Sequence, residues 1–131
     1  MGCRTGLFVG SFNPYHKGHA SVVEQALGLF DRVIVARGVN PDKPLTGRPF
    51  PDYSFINPRS ECMTYECSTV ELVGKLKPFA LIRGIRDSKD LEYEGELRRA
   101  YKEQGLVIPI IYFLVDEALR EISSSKIRQE S

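Results

Sequence analysis

The chain has no tryptophan, only two histidines and three cysteines, and almost no net charge. Each shortage excludes something. A formal charge of +1 leaves no broad basic face, so nucleic acid and anionic membrane are not expected as partners, although a small local cationic site stays open. No apolar run approaches the roughly 20 residues that cross a bilayer. The N-terminus enters a strand almost at once, without the charged and apolar regions of a signal peptide. Met1-Gly2 would invite myristoylation, but Gly6 stands where Ser or Thr is needed. Cys3, Cys62 and Cys67 are an odd count with no export signal, which predicts reduced thiols and a cytoplasmic protein. The gap from Cys62 to Cys67 does not fit a zinc knuckle and has no histidine beside it, so buried or half-buried thiols are expected. There is no internal repeat and no low-complexity tract.

What remains is ordinary in composition: 131 residues, 42% apolar and 27% charged, enough for one soluble domain over residues 1–131. Leu7-Phe8-Val9, bounded by glycines, reads as a first strand. From Gly18 to Phe30 the apolar residues recur at helical spacing. Arg32 to Ala36 is continuous and β-branched, like a buried parallel strand. Gly38 to Pro58, rich in proline, reads as a long functional loop. Cys62 to Cys67 is a candidate short strand. Ser68-Thr69-Val70-Glu71 fits a capping box opening a helix that ends near Lys77-Pro78. Phe79 to Ile82 is a strand that runs into Arg83-Gly84-Ile85-Arg86. Asp87 or Ser88 caps a helix to Gln104, with Gly105 as its stop. Val107 to Leu114 is the last strand, and Ser123-Ser124-Ser125 opens a terminal helical turn. Alternating strands and helices predict an α/β fold: a Rossmann-like, doubly wound, five-stranded parallel sheet. In such sheets ligands bind at the carboxyl ends of the strands, where these motifs fall.

The densest stretch is Gly10-Ser11-Phe12-Asn13-Pro14-Tyr15-His16-Lys17-Gly18-His19. A strand that breaks on glycine and feeds a helix start presents backbone N–H groups and a positive dipole end, which suit an anion. His16 alone reads as an exposed helix-start residue. His19, set by its spacing from Gly10 and Gly18, reads as functional. Arg83 and Arg86 could pair with Asp87, Asp90 or Glu94 as a surface ion network. Their place at a strand end beside glycine favours phosphate binding instead. Tyr93, Glu92 and Glu96 read as a solvated helix face. One serine suffices for a cap, so Ser123, Ser124 and Ser125 point to more.

Together these elements, with Asp90-Leu91-Glu92-Tyr93-Glu94 after the arginine pair, resemble the phosphopantetheine adenylyltransferases, within the nucleotidyltransferase superfamily that shares His-x-Gly-His. The His-x-Gly-His and Ile122-Ser-Ser-Ser125 elements mark the superfamily; the arginine pair with Asp-x-Glu-Tyr-Glu marks the pantetheine branch. The resemblance implies transfer of AMP from ATP to 4′-phosphopantetheine, giving dephospho-CoA and pyrophosphate, by in-line attack without a covalent intermediate. It implies that Ser11, with Gly10 and Phe12, contacts the phosphates and that His19 stabilises the α-phosphate. Lys43 would bridge the nucleophilic phosphate and the α-phosphate. Arg83 would hold phosphopantetheine, and Arg86 the ATP β- and γ-phosphates. Asp90 and Glu94 would line the nucleotide side, and Ser123, Ser124 and Ser125 would bind phosphates. Mg²⁺ would accompany ATP without a dedicated protein cage.

The chain also departs from that pattern. Ser11 stands for the usual threonine and keeps the hydroxyl. Asn13 stands for the usual aspartate and, with Lys126-Ile127-Arg128, resembles the nicotinamide-mononucleotide branch. An acceptor such as nicotinate mononucleotide is therefore the alternative, with Tyr53 and Phe55 as stacking aromatics. Between Lys43 and Arg83 a helix that the family carries is not visible, and six residues follow Ser125 where the family continues into a helix. A non-catalytic protein that binds ATP or coenzyme A is the reading from another class. Missing apolar cover predicts a homo-oligomer.

Overall fold

The structure is a computed structural model that describes residues 4–12, 16–39 and 59–115. Its elements in chain order are β1 (Thr5–Gly10), α1 (Lys17–Ala26), β2 (Arg32–Gly38), β3 (Ser60–Tyr65), α2 (Thr69–Leu76), β4 (Ala80–Ile85), α3 (Ser88–Glu103) and β5 (Ile110–Leu114). The strands form one sheet in the order β3-β2-β1-β4-β5. Every neighbouring pair is parallel. This is the doubly wound, Rossmann-like sheet that the alternation of elements predicts.

The central strands are apolar on both sides because helices cover both faces. Phe8, Val33, Val35, Ala80 and Ile82 point to one face and pack against Val22, Val23 and Ala26 of α1. Leu7, Val9, Ile34, Ala36 and Leu81 point to the other and meet Leu72 of α2 and Tyr101 of α3. The strand order reverses at β1, which has β2 on one side and β4 on the other. That switch point opens a crevice at the carboxyl ends of β1 and β4.

The element ends differ from the sequence expectations, each for a physical reason. The first strand runs from Thr5 to Gly10, beyond Leu7–Val9, because the whole segment is in register with Arg32–Arg37 of β2. The apolar spacing predicts α1 to Phe30, but the helix stops at Ala26 and the chain turns, with Gly28 N–H donating to the Gln25 carbonyl. Leu27 and Phe30 are buried all the same, so the periodicity outlives the helix. The third strand is Ser60–Tyr65, earlier than Cys62–Cys67; it is an edge strand, and its polar start disguises it. β4 reaches Ile85, past the expected end at Ile82, so Arg83 and Gly84 lie inside the strand. Gly84 permits this: a Cβ there would sit 2.8 Å from Cγ2 of Val22, so only glycine lets α1 lie so close. The last strand begins at Ile110, later than Val107, because Pro109 has no N–H to give the ladder; its carbonyl still accepts from Leu81 N–H at 2.9 Å.

Candidate active site

Helix α1 is closed at its start by the two histidines of the chain. His16 is the N-cap, and its Nδ1 accepts the Gly18 N–H at 3.1 Å. His19 reaches back, and its Nδ1 accepts the His16 N–H at 3.0 Å. This is a capping box built from imidazoles, where Ser or Thr paired with Glu or Gln is usual. The two rings stack with centroids 3.8 Å apart and planes 26° apart. A ring nitrogen that accepts an N–H carries no proton, so both neutral rings hold theirs on Nε2. The expectation of an exposed His16 is overturned: it is 7% exposed, because the cap faces inward toward the crevice.

Both rings are held neutral. Burial, then the positive Arg86, lowers His16 to about 4. Burial lowers His19 well below the ordinary histidine value, and His16, Arg83 and Arg86 add to the effect. Gly18 is required between them, since a Cβ there would lie 2.9 Å from Cε1 of His16.

Phe12 fixes the ring of His19 from the other side. Its edge meets that ring at 4.8 Å between centroids and 89° between planes, and it meets Phe8 in the same way at 4.9 Å. Phe12 does this from a backbone φ of +40°, in the left-handed region that glycine normally fills. Such a conformation costs on the order of 1 kcal/mol, which burial of the phenyl ring outweighs.

The arginines arrive from β4 and the turn after it. Arg83 Nε donates to Oε1 and Oε2 of Glu94 at 2.9 and 3.0 Å. Its Nη2 is 2.7 Å from Oε1 of the same carboxylate. Its Nη1 donates to the Val9 carbonyl of β1. Burial would push the guanidinium down, but the hydrogen bonds and charge of Glu94 outweigh it and hold Arg83 above its ordinary value. Arg86 donates through Nε and Nη2 to Asp90 at 3.0 and 3.3 Å, and its backbone N–H adds a third bond at 2.9 Å. Those bonds hold Asp90 below the usual carboxylate range against the opposing effect of burial. Asp87, favoured over Ser88, caps α3 by accepting the Asp90 N–H at 2.9 Å. The arginines are therefore ion-paired as the bland reading has it, yet they line a pocket.

That pocket, of about 320 Å³, lies over the carboxyl ends of β1 and β4. Gly10, Ser11, Phe12, His19, Arg83, Arg86, Asp90 and Glu94 all line it, so eight of the expected site residues meet. Lys43, Ser123, Ser124 and Ser125 lie outside the described residues, as do Asn13, Tyr53, Phe55 and the Lys126–Arg128 segment. Reading the sequence missed Val115, whose buried side chain forms part of the lining, and placed Tyr93 only on a solvated face. Tyr93 is 57% exposed and still borders the pocket. No signal marked the Val9 carbonyl, since any residue supplies one.

Among the described residues, no three or more His, Cys, Asp or Glu side chains gather as a metal site. No helix of the described residues is long and apolar enough to cross a membrane.

The family described as Cytidylyltransferase-like matches residues 7–54. The phosphopantetheine adenylyltransferase of Porphyromonas gingivalis is 36% identical over 129 residues, covering 94% of this chain and 84% of that protein. The one of Bacteroides thetaiotaomicron is 33% identical over 132 residues, covering 96% and 87%. Among solved structures, a bifunctional NMN adenylyltransferase/ADP ribose pyrophosphatase from Francisella tularensis superimposes with a TM-score of 0.59 at 17% identity, covering 98% of this chain and 41% of that one. A lipopolysaccharide core biosynthesis protein from Thermoplasma volcanium gives 0.57 at 17%, covering 88% and 99%. Those two likenesses concern the fold. The sequence relatives go further: the chain belongs to the phosphopantetheine adenylyltransferase family.

Proposed function

We propose that the protein transfers AMP from ATP to 4′-phosphopantetheine in the cytoplasm, releasing pyrophosphate and giving dephospho-CoA. A phosphate oxygen of the acceptor attacks the α-phosphorus; the new P–O bond forms as the bond to the bridging oxygen breaks. Pyrophosphate leaves with that electron pair. No side chain has to become covalently attached.

The observation that carries this reading is His19, its Nδ1 engaged by a backbone N–H, in the pocket that both arginines line. Phosphoryl-type transition states spread charge over oxygens, so catalysis needs fixed donors more than an acid–base pair. His19 donates to the α-phosphate. Ser11 and the strand-end backbone at Gly10 and Phe12 bind the phosphates. Arg83 binds the acceptor phosphate and Arg86 the β- and γ-phosphates, on a pocket side that Asp90 and Glu94 also line. Lys43 bridges nucleophile and α-phosphate, and Ser123, Ser124 and Ser125 add phosphate contacts. Mg²⁺ enters as the counter-ion of ATP. Both carboxylates of the pocket are engaged by guanidinium groups, which fits an ion held by phosphates and water. The protein works as a homo-oligomer.

The test is pyrophosphate release with ATP and Mg²⁺, offering 4′-phosphopantetheine and nicotinate mononucleotide separately. Turnover with the first alone is expected. Turnover with the second alone overturns the acceptor, and none with either, in protein that still binds ATP, leaves a binding protein.

A further inference from the structure

We propose that Gly10 and Phe12 act as one positioning device for His19: the glycine leaves out a side chain so that the phenyl ring, folded back by a left-handed turn, holds the imidazole at its working angle. The inference rests on the reading of His19 as the donor to the α-phosphate.

The device begins at the turn after β1. Phe12 has a φ of +40°, where a side chain is strained and glycine is the usual choice. Gly10, which ends β1, has no positive φ, so its backbone shape is open to any residue. Conformation alone would put the glycine at 12 and a side chain at 10. The chain does the reverse, and space explains it. A Cβ on Gly10 would lie 3.1 Å from Cζ of Phe12 and 3.2 and 3.4 Å from its two Cε atoms. The volume that a side chain at 10 would fill belongs to the ring of Phe12. It is not left open for a ligand, which is the other common reason for a glycine at such a turn.

Where that ring goes decides what it does. Phe8, Phe12 and His19 form a triangle of rings, with Phe12 nearly perpendicular to both of the others. His16 stacks on the same imidazole at 3.8 Å. An imidazole with one ring stacked on it and another set across it cannot turn about its Cβ–Cγ bond unless one of them moves. The His16 N–H fixes one atom of His19, its Nδ1. The phenyl ring fixes the tilt of the rest. Phe8 and Phe12 both belong to the buried cluster on the α1 side of the sheet, so the device is seated on the core. A filler at position 12 would need only apolar bulk. A flat ring held at a right angle from a strained residue is more than filling requires.

The experiment compares wild type, Phe12→Leu, Gly10→Ala and the double variant. It reads melting temperature, kcat, KM for ATP and the imidazole ¹⁵N shifts of His19 in ligand-free protein. Leucine keeps the apolar bulk and loses the flat ring. F12L should lower kcat about tenfold to 100-fold, with KM for ATP changed less than about twofold. Its His19 nitrogens should move from a bare Nδ1 acceptor toward the average of two tautomers. G10A keeps the backbone N–H and should show the same signature, because its methyl displaces the ring. Adding F12L to G10A should restore melting temperature, since leucine can bend away from the methyl, and should not restore kcat. A rise in KM for ATP in G10A that F12L does not relieve makes Gly10 a close-approach glycine for phosphate and overturns the proposal. So do losses of kcat that follow the melting temperature across the set, and so do unmoved ¹⁵N shifts in F12L. If G10A does not fold, F12L alone decides. Wild type without turnover removes the reading of His19 as donor, while the ¹⁵N shifts of wild type and F12L still test the positioning.

Discussion

His19 accepts the backbone N–H of His16 on the same ring nitrogen that a proton would need. His16 accepts the Gly18 N–H likewise. Protonating Nδ1 of either ring therefore breaks the cap of α1, and a proton shared between stacked rings is further opposed by Arg86.

The first prediction concerns acid. The folded value of His16 is about 4 against 6.5 for the free side chain, so below 6.5 the unfolded chain takes up a proton that the folded chain refuses. His19 is shifted in the same direction. The contribution of His16 to stability is full above 6.5 and is lost as pH falls from 6.5 toward about 4, and acid weakens that of His19 in the same direction. Thermal melts across that range should show the decline, and His16→Asn, which can still cap, should flatten it. Identical pH slopes in the two proteins would remove His16 from the account.

His19→Ala should lower kcat by about 100-fold to 1,000-fold, the usual loss for one oxyanion donor. It should cost about 1 kcal/mol in stability from half of the capping box. Turnover near wild type would end the role given to His19.

Three glycines separate cap from propensity. Gly18→Ala would drive a Cβ to 2.9 Å from the His16 ring, while Gly74 and Gly95 meet nothing within 4 Å. Gly18→Ala should destabilise by about 1–2 kcal/mol and depress turnover. Gly74→Ala and Gly95→Ala, inside α2 and α3, should each stabilise by about 0.5–1 kcal/mol. Denaturant titrations of the three variants would check the order.

Phe12→Ala should cost about 3 kcal/mol, because it empties a buried site while the strained φ remains. It should also lower kcat more than KM changes, since His19 loses the ring that limits its rotation. A drop in stability with kcat intact would mean the backbone bond alone orients His19.

The continuous apolar strands and the helix caps at Ser68 and Asp87 were legible because each is a local rule: buried parallel strands lack polar alternation, and caps need a short acceptor. Element ends were less so. Leu27 and Phe30 are buried without being helical, and β3 hides its edge-strand polarity behind Ser60 and Glu61. Eight residues that the resemblance implies for the site line one pocket. What was not legible were contacts between distant segments. The bond from Arg83 to the Val9 carbonyl joins positions 74 apart. The burial of His16 depends on how the cap lies in the pocket that Arg86 also lines.

Helices α2 and α3 begin on Ser68 and Asp87, side chains that do not line the pocket. Helix α1 begins on the site itself. Its first amides, those of His16 and Gly18, are therefore wired to the imidazoles, and their hydrogen-exchange rates become a clock for whatever happens to the rings. A ligand that locks His19 should slow those two amides, and a proton on either ring should speed them. The backbone reports the state of the chemistry without any added probe.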